Sequence, residues 1–278
     1  MKAWFAIAIL LVFLAGCGGV TQTVVQPAEV YRPDTETHSE LLSLPQPKEP
    51  VVAGVYGFQD ETGQYKPSPS GATTASFSRA ITQGATSILV EALQNSGWFT
   101  VVEREGLNNL TEERKIIRST RMEFNDQTPV PPMLYCGVIF EGGVISYDTD
   151  VMSGGFGAKW FGSGGSAQIR KDQITVYLRV VSVKNGRVLK SVSTSKTIYS
   201  KMIDLGTFKY VKPNRLLEVE TGYSKNEPTQ LCISDAIDKA VAVMVLEGIV
   251  DGLWELKNPE DIQCPIIQQY LKEKTEGK

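Results

Sequence analysis

Apolar and polar residues alternate along the chain at two periods, and the periods predict its elements. A run rich in β-branched and aromatic residues from Val51 predicts a strand. Apolar residues then recur at helical spacing, which predicts a helix with Ser78 at its start. Over residues 51–143 the pattern predicts a compact α+β domain. Its predicted elements are a strand at 51–58, a helix at 78–95, a strand at 99–102 and a helix at 107–117.

Residues 135–214 predict four long antiparallel strands joined by turns at 153–165, 184–187 and 204–206. The Asn185-Gly186 pair between β-rich runs is the strongest short-range hairpin signal. The first two strands are about three times longer than the usual 5–6 residues, and a membrane crossing takes only about 9–11. We therefore expect the strands to begin in a periplasmic sheet over 174–192 and to cross a membrane at 144–173 and 193–213.

Around the first turn, apolar and polar residues alternate on both arms. If this hairpin is centred near Lys159, Asp148 lies across from Arg170, and Asp148, Asp150 and Arg170 line a polar lumen. The alternation changes phase at 171–173, which we interpret as the periplasmic edge of the membrane. The alternative is an extended β-meander that stays in the periplasm.

Transmembrane hairpins would require several copies of the chain. Unpaired backbone groups at an open sheet edge each cost several kcal/mol in lipid. Four strands are too few to close a barrel, since the smallest closed barrels have about eight. Several copies would enclose a water-filled channel wide enough for a polypeptide.

The N-terminal residues are typical of a bacterial lipoprotein. Residues 1–16 fit a signal peptide, and Leu14-Ala15-Gly16-Cys17 is the pattern of a lipid attachment site, with the Cys17 thiol as acceptor. The alternative is an ordinary cleaved signal with a coincidental cysteine. Gly18 favours the outer membrane. The proline-rich residues 17–50 are then expected to form a flexible tether.

Composition excludes several functions. The formal charge of −3 argues against nucleic acid as a partner. His38 is the only histidine and lies in the predicted tether, so we expect no catalytic site, no metal site and no cofactor beyond the lipid on Cys17. Cys136, Cys232 and Cys264 are expected to be buried free thiols, although one internal disulfide is possible.

The C-terminal part, 214–278, predicts helices. Apolar residues at helical spacing predict a helix over 233–250, which could pack either between protomers or within the domain core. The tail from Asn258 predicts a further short helix.

Five collinear segments resemble the curli secretion channel lipoprotein family, the curli production assembly/transport components. They are Asp60–Pro67, Ser96–Phe99, Glu103–Leu107 with Glu113–Arg118, Thr194–Ile198 and Ser224–Pro228. The resemblance implies about nine protomers that each give two hairpins to one outer-membrane barrel. It implies secretion of unfolded curli (amyloid fibre) subunits for biofilm formation, without nucleotide hydrolysis. It also implies two partners, a periplasmic capping and specificity factor and an extracellular nucleation factor.

The family narrows its pore with a loop that carries a tyrosine, an asparagine and a phenylalanine. In this chain the resemblance assigns those positions to Ser68, Ser76 and Phe77, within a constriction loop at 66–78 that is about four residues longer. Phe77 could instead pack on the following helix as a hydrophobic staple, with Ser78 as its N-cap. The runner-up function is a periplasmic adaptor or binding lipoprotein built on the same α+β domain and lacking a pore.

Overall fold

A mixed β-sheet covered by helices forms the body of the protein in the computed structural model, which describes residues 35–63, 65–66, 78–79, 84–153, 168–204, 207–211 and 228–276. Six strands make the main sheet, and two short ones form a separate ladder. The strands are β1 Val51–Asp60, β2 Tyr65–Lys66, β3 Ser78–Arg79, β4 Phe99–Val102, β5 Val138–Ser153, β6 Gln168–Ser182, β7 Val188–Asp204 and β8 Thr207–Val211.

Five α-helices and one 3₁₀ turn accompany the strands in the described residues. They are α1 Glu36–Leu42, α2 Ala85–Asn95, α3 Leu107–Glu123, α4 Pro228–Val250, a 3₁₀ turn at Pro259–Gln263 and α5 Pro265–Glu276. No helix among the described residues has the length and hydropathy needed to cross a membrane.

The main sheet has the strand order β4-β1-β5-β6-β7-β8. β1 pairs in parallel with β4 and β5, and every pairing from β5 to β8 is antiparallel. The β6–β7 hairpin turns over residues 183–186, where Gly186 adopts a left-handed φ of 68°. The predicted hairpin at Asn185-Gly186 is therefore confirmed.

Helix α4 covers one face of the sheet and is buried along most of its length. The even-numbered residues of β6 from Ile174 to Val180 are fully buried on that side, as their alternation predicts. A Cβ at Gly248 would lie 2.0 Å from the Trp254 indole, which packs directly on the helix and donates from Nε1 to the Val245 carbonyl at 3.0 Å. Glycine at this position is thus required by the close approach of a ring.

Two predictions about the N-terminal half are wrong. The helix predicted from Ser78 begins at Ala85, with Gly84 in the N-cap position, and Ser78 pairs with Lys66 in the β2–β3 ladder instead. Residues 35–50, predicted as tether, pack on the body, and Leu41 is fully buried. The sequence rule failed there because a seven-residue helix with few apolar positions gives little periodicity.

Helix α3 extends six residues beyond the predicted end at 117. The helix has no buried residue, so packing does not define its limits. Of the three thiols, only Cys232 is buried, and Cys136 and Cys264 are partly exposed. The prediction of burial is wrong for those two.

Candidate transport site

The strands β5, β6 and β7 continue beyond the part of the sheet that α4 covers. The Sγ of Cys232, one turn into α4, lies 3.7 Å from the carbonyl oxygens of Asp172 and Lys196. Burial there raises the pKa of the Cys232 thiol to about 12, so the group stays a thiol. From this level, β7 runs on to Asp204 and β6 extends back to Gln168.

A buried carboxylate marks the level where the covered sheet ends. Asp172 is fully buried, and its Oδ1 accepts hydrogen bonds from the Tyr147 hydroxyl and the Thr149 hydroxyl, each at 2.9 Å. Sequence reasoning missed this cluster, because Asp172 was only a phase break between two alternating runs. A charged residue in the middle of a long β-rich segment was the available signal.

Beyond that level the described strands present two open edges. The pairing of β1 with β5 ends at Val144, and no described strand lies on that side of β5 from Asp148 onwards. β8 is the last strand of the sheet, so its outer edge has no described neighbour. Through the registers of β7 and β6, Val211 of β8 lies at the same level as Asp150 of β5.

A β-bulge at Ile145 changes the register of the first long hairpin. Before the bulge, Val144 of β5 pairs with Val176, and after it Ser146 pairs with Thr175. The extra residue moves the side chains that follow it in β5 to the opposite face of the sheet. Asp148 consequently lies opposite Gln173, and Arg170 lies opposite Val151. The predicted pairing of Asp148 with Arg170 is therefore wrong.

The register instead extends a polar face from the body into the long strands. On the face away from α4, Tyr177 donates to Glu61 Oε1 at 2.9 Å and Arg179 donates from Nε to Glu141 at 2.9 Å. The exposed Asp148 and Asp150 continue this face, and Lys171 lies across from Asp150. Desolvation, followed by the Glu61 hydrogen bond, raises the pKa of Tyr177, which keeps the phenol protonated.

A two-stranded ladder closes the segment predicted to form a constriction. Tyr65 pairs with Arg79, and Lys66 pairs with Ser78, so the chain returns to its starting point after residue 77. Asp60 accepts from the backbone and hydroxyl of Thr62 just before this ladder. Three predicted positions, Ser68, Ser76 and Phe77, lie outside the described residues, as does the predicted lipid attachment site Cys17.

Comparison with known proteins identifies the class of this protein. The chain is a transport component and not an enzyme. The family model described as "Curli production assembly/transport component CsgG" matches residues 34–274. The chain therefore belongs to the curli production assembly/transport component CsgG family.

Two relatives of this family show how much of the chain is shared. The curli production assembly/transport component CsgG of Salmonella typhimurium strain LT2 is 41% identical over 269 residues, which is 95% of each chain. That of Escherichia coli strain K12 is 40% identical over 277 residues, 97% of this chain and 96% of the relative.

Similarity to solved structures is weaker. The PelC dodecamer from Paraburkholderia phytofirmans has a TM-score of 0.29 and 11% identity, covering 72% of this chain and 90% of that one. Lipoprotein GNA1162 from Neisseria meningitidis has a TM-score of 0.30 and 12% identity, covering 73% and 98%. Among the described side chains no cluster of three or more metal-ligating residues occurs.

Proposed function

We propose that several copies of this protein form an outer-membrane secretion channel that exports unfolded curli subunits without nucleotide hydrolysis. The observation that carries this proposal is the continuation of β5–β8 past their helical cover, where two edges at one level have no described strand beside them. In this proposal 144–173 and 193–213 are the two transmembrane hairpins of each protomer. Membership of the curli transport family supports curli subunits as the transported protein.

The two edges explain why copies would join. Open backbone edges cost several kcal/mol per unpaired group in lipid, so β8 of one copy must pair with the upper part of β5 of the next. Both strands run antiparallel to their neighbours at these edges. Repetition of that contact closes a ring, and about nine copies are expected from the family resemblance.

The polar face supports an inward orientation for the acidic residues. Asp148 and Asp150 continue the polar face of the sheet that carries Tyr177 and Arg179. We propose that they face the water-filled lumen, with Lys171 as the nearby cation in place of the predicted Arg170.

The ladder at the neck of the 66–78 segment supports its role as a constriction loop. Because Ser78 belongs to this ladder and α2 begins at Ala85, the alternative in which Ser78 caps a helix and Phe77 packs on it loses its basis. In the proposed pore, a ring of Phe77 side chains contacts the passing chain. Ser68 and Ser76 are smaller than the tyrosine and asparagine of the family, so the opening is wider at those two positions.

Helix α3 supports self-association. It has no buried residue, and apolar side chains at its C-terminal end, including Phe124 at 75% exposure, face solvent in the single chain. Exposed aromatic residues of this size are typical of interaction surfaces. The further partners in this proposal are the periplasmic capping factor and the extracellular nucleation factor.

Extraction behaviour tests the proposal. The variant Cys17→Ser behind an ordinary cleaved signal removes the proposed lipid anchor and leaves the strands intact. A channel still requires detergent for extraction from outer membranes, because its strands cross the bilayer. A periplasmic adaptor anchored only by lipid becomes soluble in buffer, and that result would overturn the channel.

A further inference from the structure

Helix α1 lies parallel to α4 and contacts it through a row of polar pairs. Thr35 donates to Asp235 Oδ1 at 2.6 Å, and His38 Nδ1 lies 2.8 Å from Asp238 Oδ2. Beside this pair, Lys239 Nζ lies 2.7 Å from Glu40 Oε1. Residue numbers rise in the same direction along both helices, so the N-terminal end of α1 lies at the N-terminal end of α4.

The same row of contacts continues onto the long strands. Asp235 also pairs with Lys196 of β7 at 2.5 Å, and the Thr194 hydroxyl donates to the Ala236 carbonyl at 2.7 Å. Thr35 is therefore held at the level of Lys196, eight residues before the end of β7 at Asp204. This is the end of the body from which the uncovered strands continue.

Residues 43–50 connect this point to the opposite end of the body. The Trp98 indole donates to the Pro45 carbonyl at 2.7 Å, and the Lys48 amide donates to the Glu255 carbonyl at 2.9 Å. β1 then starts at Val51, near the level of the β6–β7 turn. On β6, the level of Lys196 is that of Ile174, and the strand ends at the turn at Ser182, eight residues away. At about 3.3 Å per residue, this distance is about 26 Å.

We propose that residues 35–50 act as a mooring strap: Thr35, His38 and Glu40 hold the N-terminal segment at the end of the body where the uncovered strands begin. This inference rests on the proposed membrane insertion of those strands and the proposed lipid on Cys17. It assigns the three side chains a role in presenting the hairpins to the membrane to which the lipid is attached.

Polymer physics gives the size of the effect. With the strap in place, about 18 residues separate Cys17 from the body, and without it about 34 residues separate Cys17 from Val51. Effective concentration falls as about the −3/2 power of linker length, so release of the strap lowers the encounter of hairpins with membrane by about threefold. Release also moves the point at which the N-terminal segment leaves the body by about 26 Å, which adds to that loss.

The test compares three forms of the full-length lipoprotein. The first, His38→Ala with Glu40→Ala, removes two of the α1 contacts and leaves Thr35 as the N-cap of the helix. The second adds Asp238→Asn, which removes the buried carboxylate that would otherwise lose its His38 partner. The matched control, Glu36→Gln with Ser39→Ala, changes exposed residues of the same helix.

Two readouts separate the strap from the channel. Amide hydrogen exchange over 36–42 reports release of α1, and we expect at least tenfold faster exchange in the first two forms only. Insertion into phospholipid vesicles, followed as SDS-resistant oligomer, is expected to slow at least threefold in the same forms at unchanged melting temperature of the sheet.

If hydrogen exchange over 36–42 is unchanged, these contacts do not hold α1. If α1 is released but the insertion rate is unchanged, the strap does not present the hairpins to the membrane. Either result overturns the mooring proposal alone. Failure of the wild-type lipoprotein to insert would instead overturn the channel proposal on which it rests.

Discussion

Glu247 of α4 connects three elements of the body through one carboxylate. It accepts from Lys190 of β7 and from Lys274 of α5 at 2.7 Å, and the Tyr270 hydroxyl donates to it as well. Burial opposes its ionisation, but these hydrogen bonds together outweigh burial and lower the pKa of Glu247 to about 2. The C-terminal helix is thereby fastened to the face of the body that α4 forms.

The depressed pKa predicts acid sensitivity at this residue. Because the folded-state pKa lies below the usual value near 4.3, ionised Glu247 stabilises the fold above about pH 4.5, and this contribution is lost as pH falls toward 2. We expect Glu247→Gln to lose about 1–3 kcal/mol of unfolding free energy at pH 7 and less at pH 3, measured by urea denaturation. Glu273→Gln, on the exposed side of α5, is the control; equal losses for Glu247→Gln at both pH values would contradict the assignment.

Phe77 is the residue at which the proposed pore is most sensitive to side-chain size. Removal of its ring in every copy should widen the opening, because in the proposed pore each protomer contributes one ring to the same level. We expect Phe77→Ala to raise single-channel conductance in planar bilayers. Phe58→Leu, in the buried core of β1, is a control that should leave conductance near the wild-type value; an unchanged Phe77→Ala conductance would remove Phe77 from the constriction.

At the scale of elements, long and regular patterns were predictable. The alternation of Ile174, Val176, Leu178 and Val180 predicted the buried face of β6, since period-two burial follows directly from strand geometry. The β6–β7 hairpin was predictable because Gly186 adopts the positive φ that its turn requires. Both features depend on local chemistry alone.

The features that sequence could not provide depend on tertiary context. The bulge at Ile145 inserts one residue into β5, so the register and the faces above it were predicted incorrectly. Helix α1 is stabilised by pairs with residues 200 positions away, such as Thr35 with Asp235. Its burial is therefore visible only once α4 is in place.

Helix α3 carries a prediction at the same scale. Met122 and Phe124 are 79% and 75% exposed in the single chain, so their replacement should leave monomer stability within about 0.5 kcal/mol. If α3 packs on a neighbouring copy, Met122→Ser with Phe124→Ser should reduce oligomer yield at least tenfold, measured by native mass spectrometry of the detergent-extracted protein.

The matched control for α3 is Val183→Ser, which changes an exposed apolar residue at the β6–β7 turn. It should leave the oligomer intact. Full oligomer yield in the α3 variant would exclude this helix as a subunit contact, while the edges of the long strands would remain as the joining surfaces.

In the whole molecule, one sheet has two parts that differ in what packs beside them. Below Asp172 the sheet is backed by α4, and strand pairing continues through β1 to β4. Above it, no described strand lies beside the outer edge of β5 or of β8. In the proposed channel, a single chain therefore supplies a folded body and one segment of the barrel wall.

Cross-linking between those edges tests whether neighbouring copies join through β5 and β8. Cysteines are introduced at Asp148 or Asp150 of β5 and at Lys209 or Val211 of β8, in a chain with Cys136→Ser and Cys264→Ser. Paired edge strands bring Cα atoms within the roughly 4.4–6.8 Å that a disulfide spans. We predict that at least one combination gives a ladder of covalent oligomers in outer membranes on oxidation, ending at a closed ring. If none of these combinations cross-links in variants that still secrete curli subunits, β5 and β8 are not the strands through which copies join.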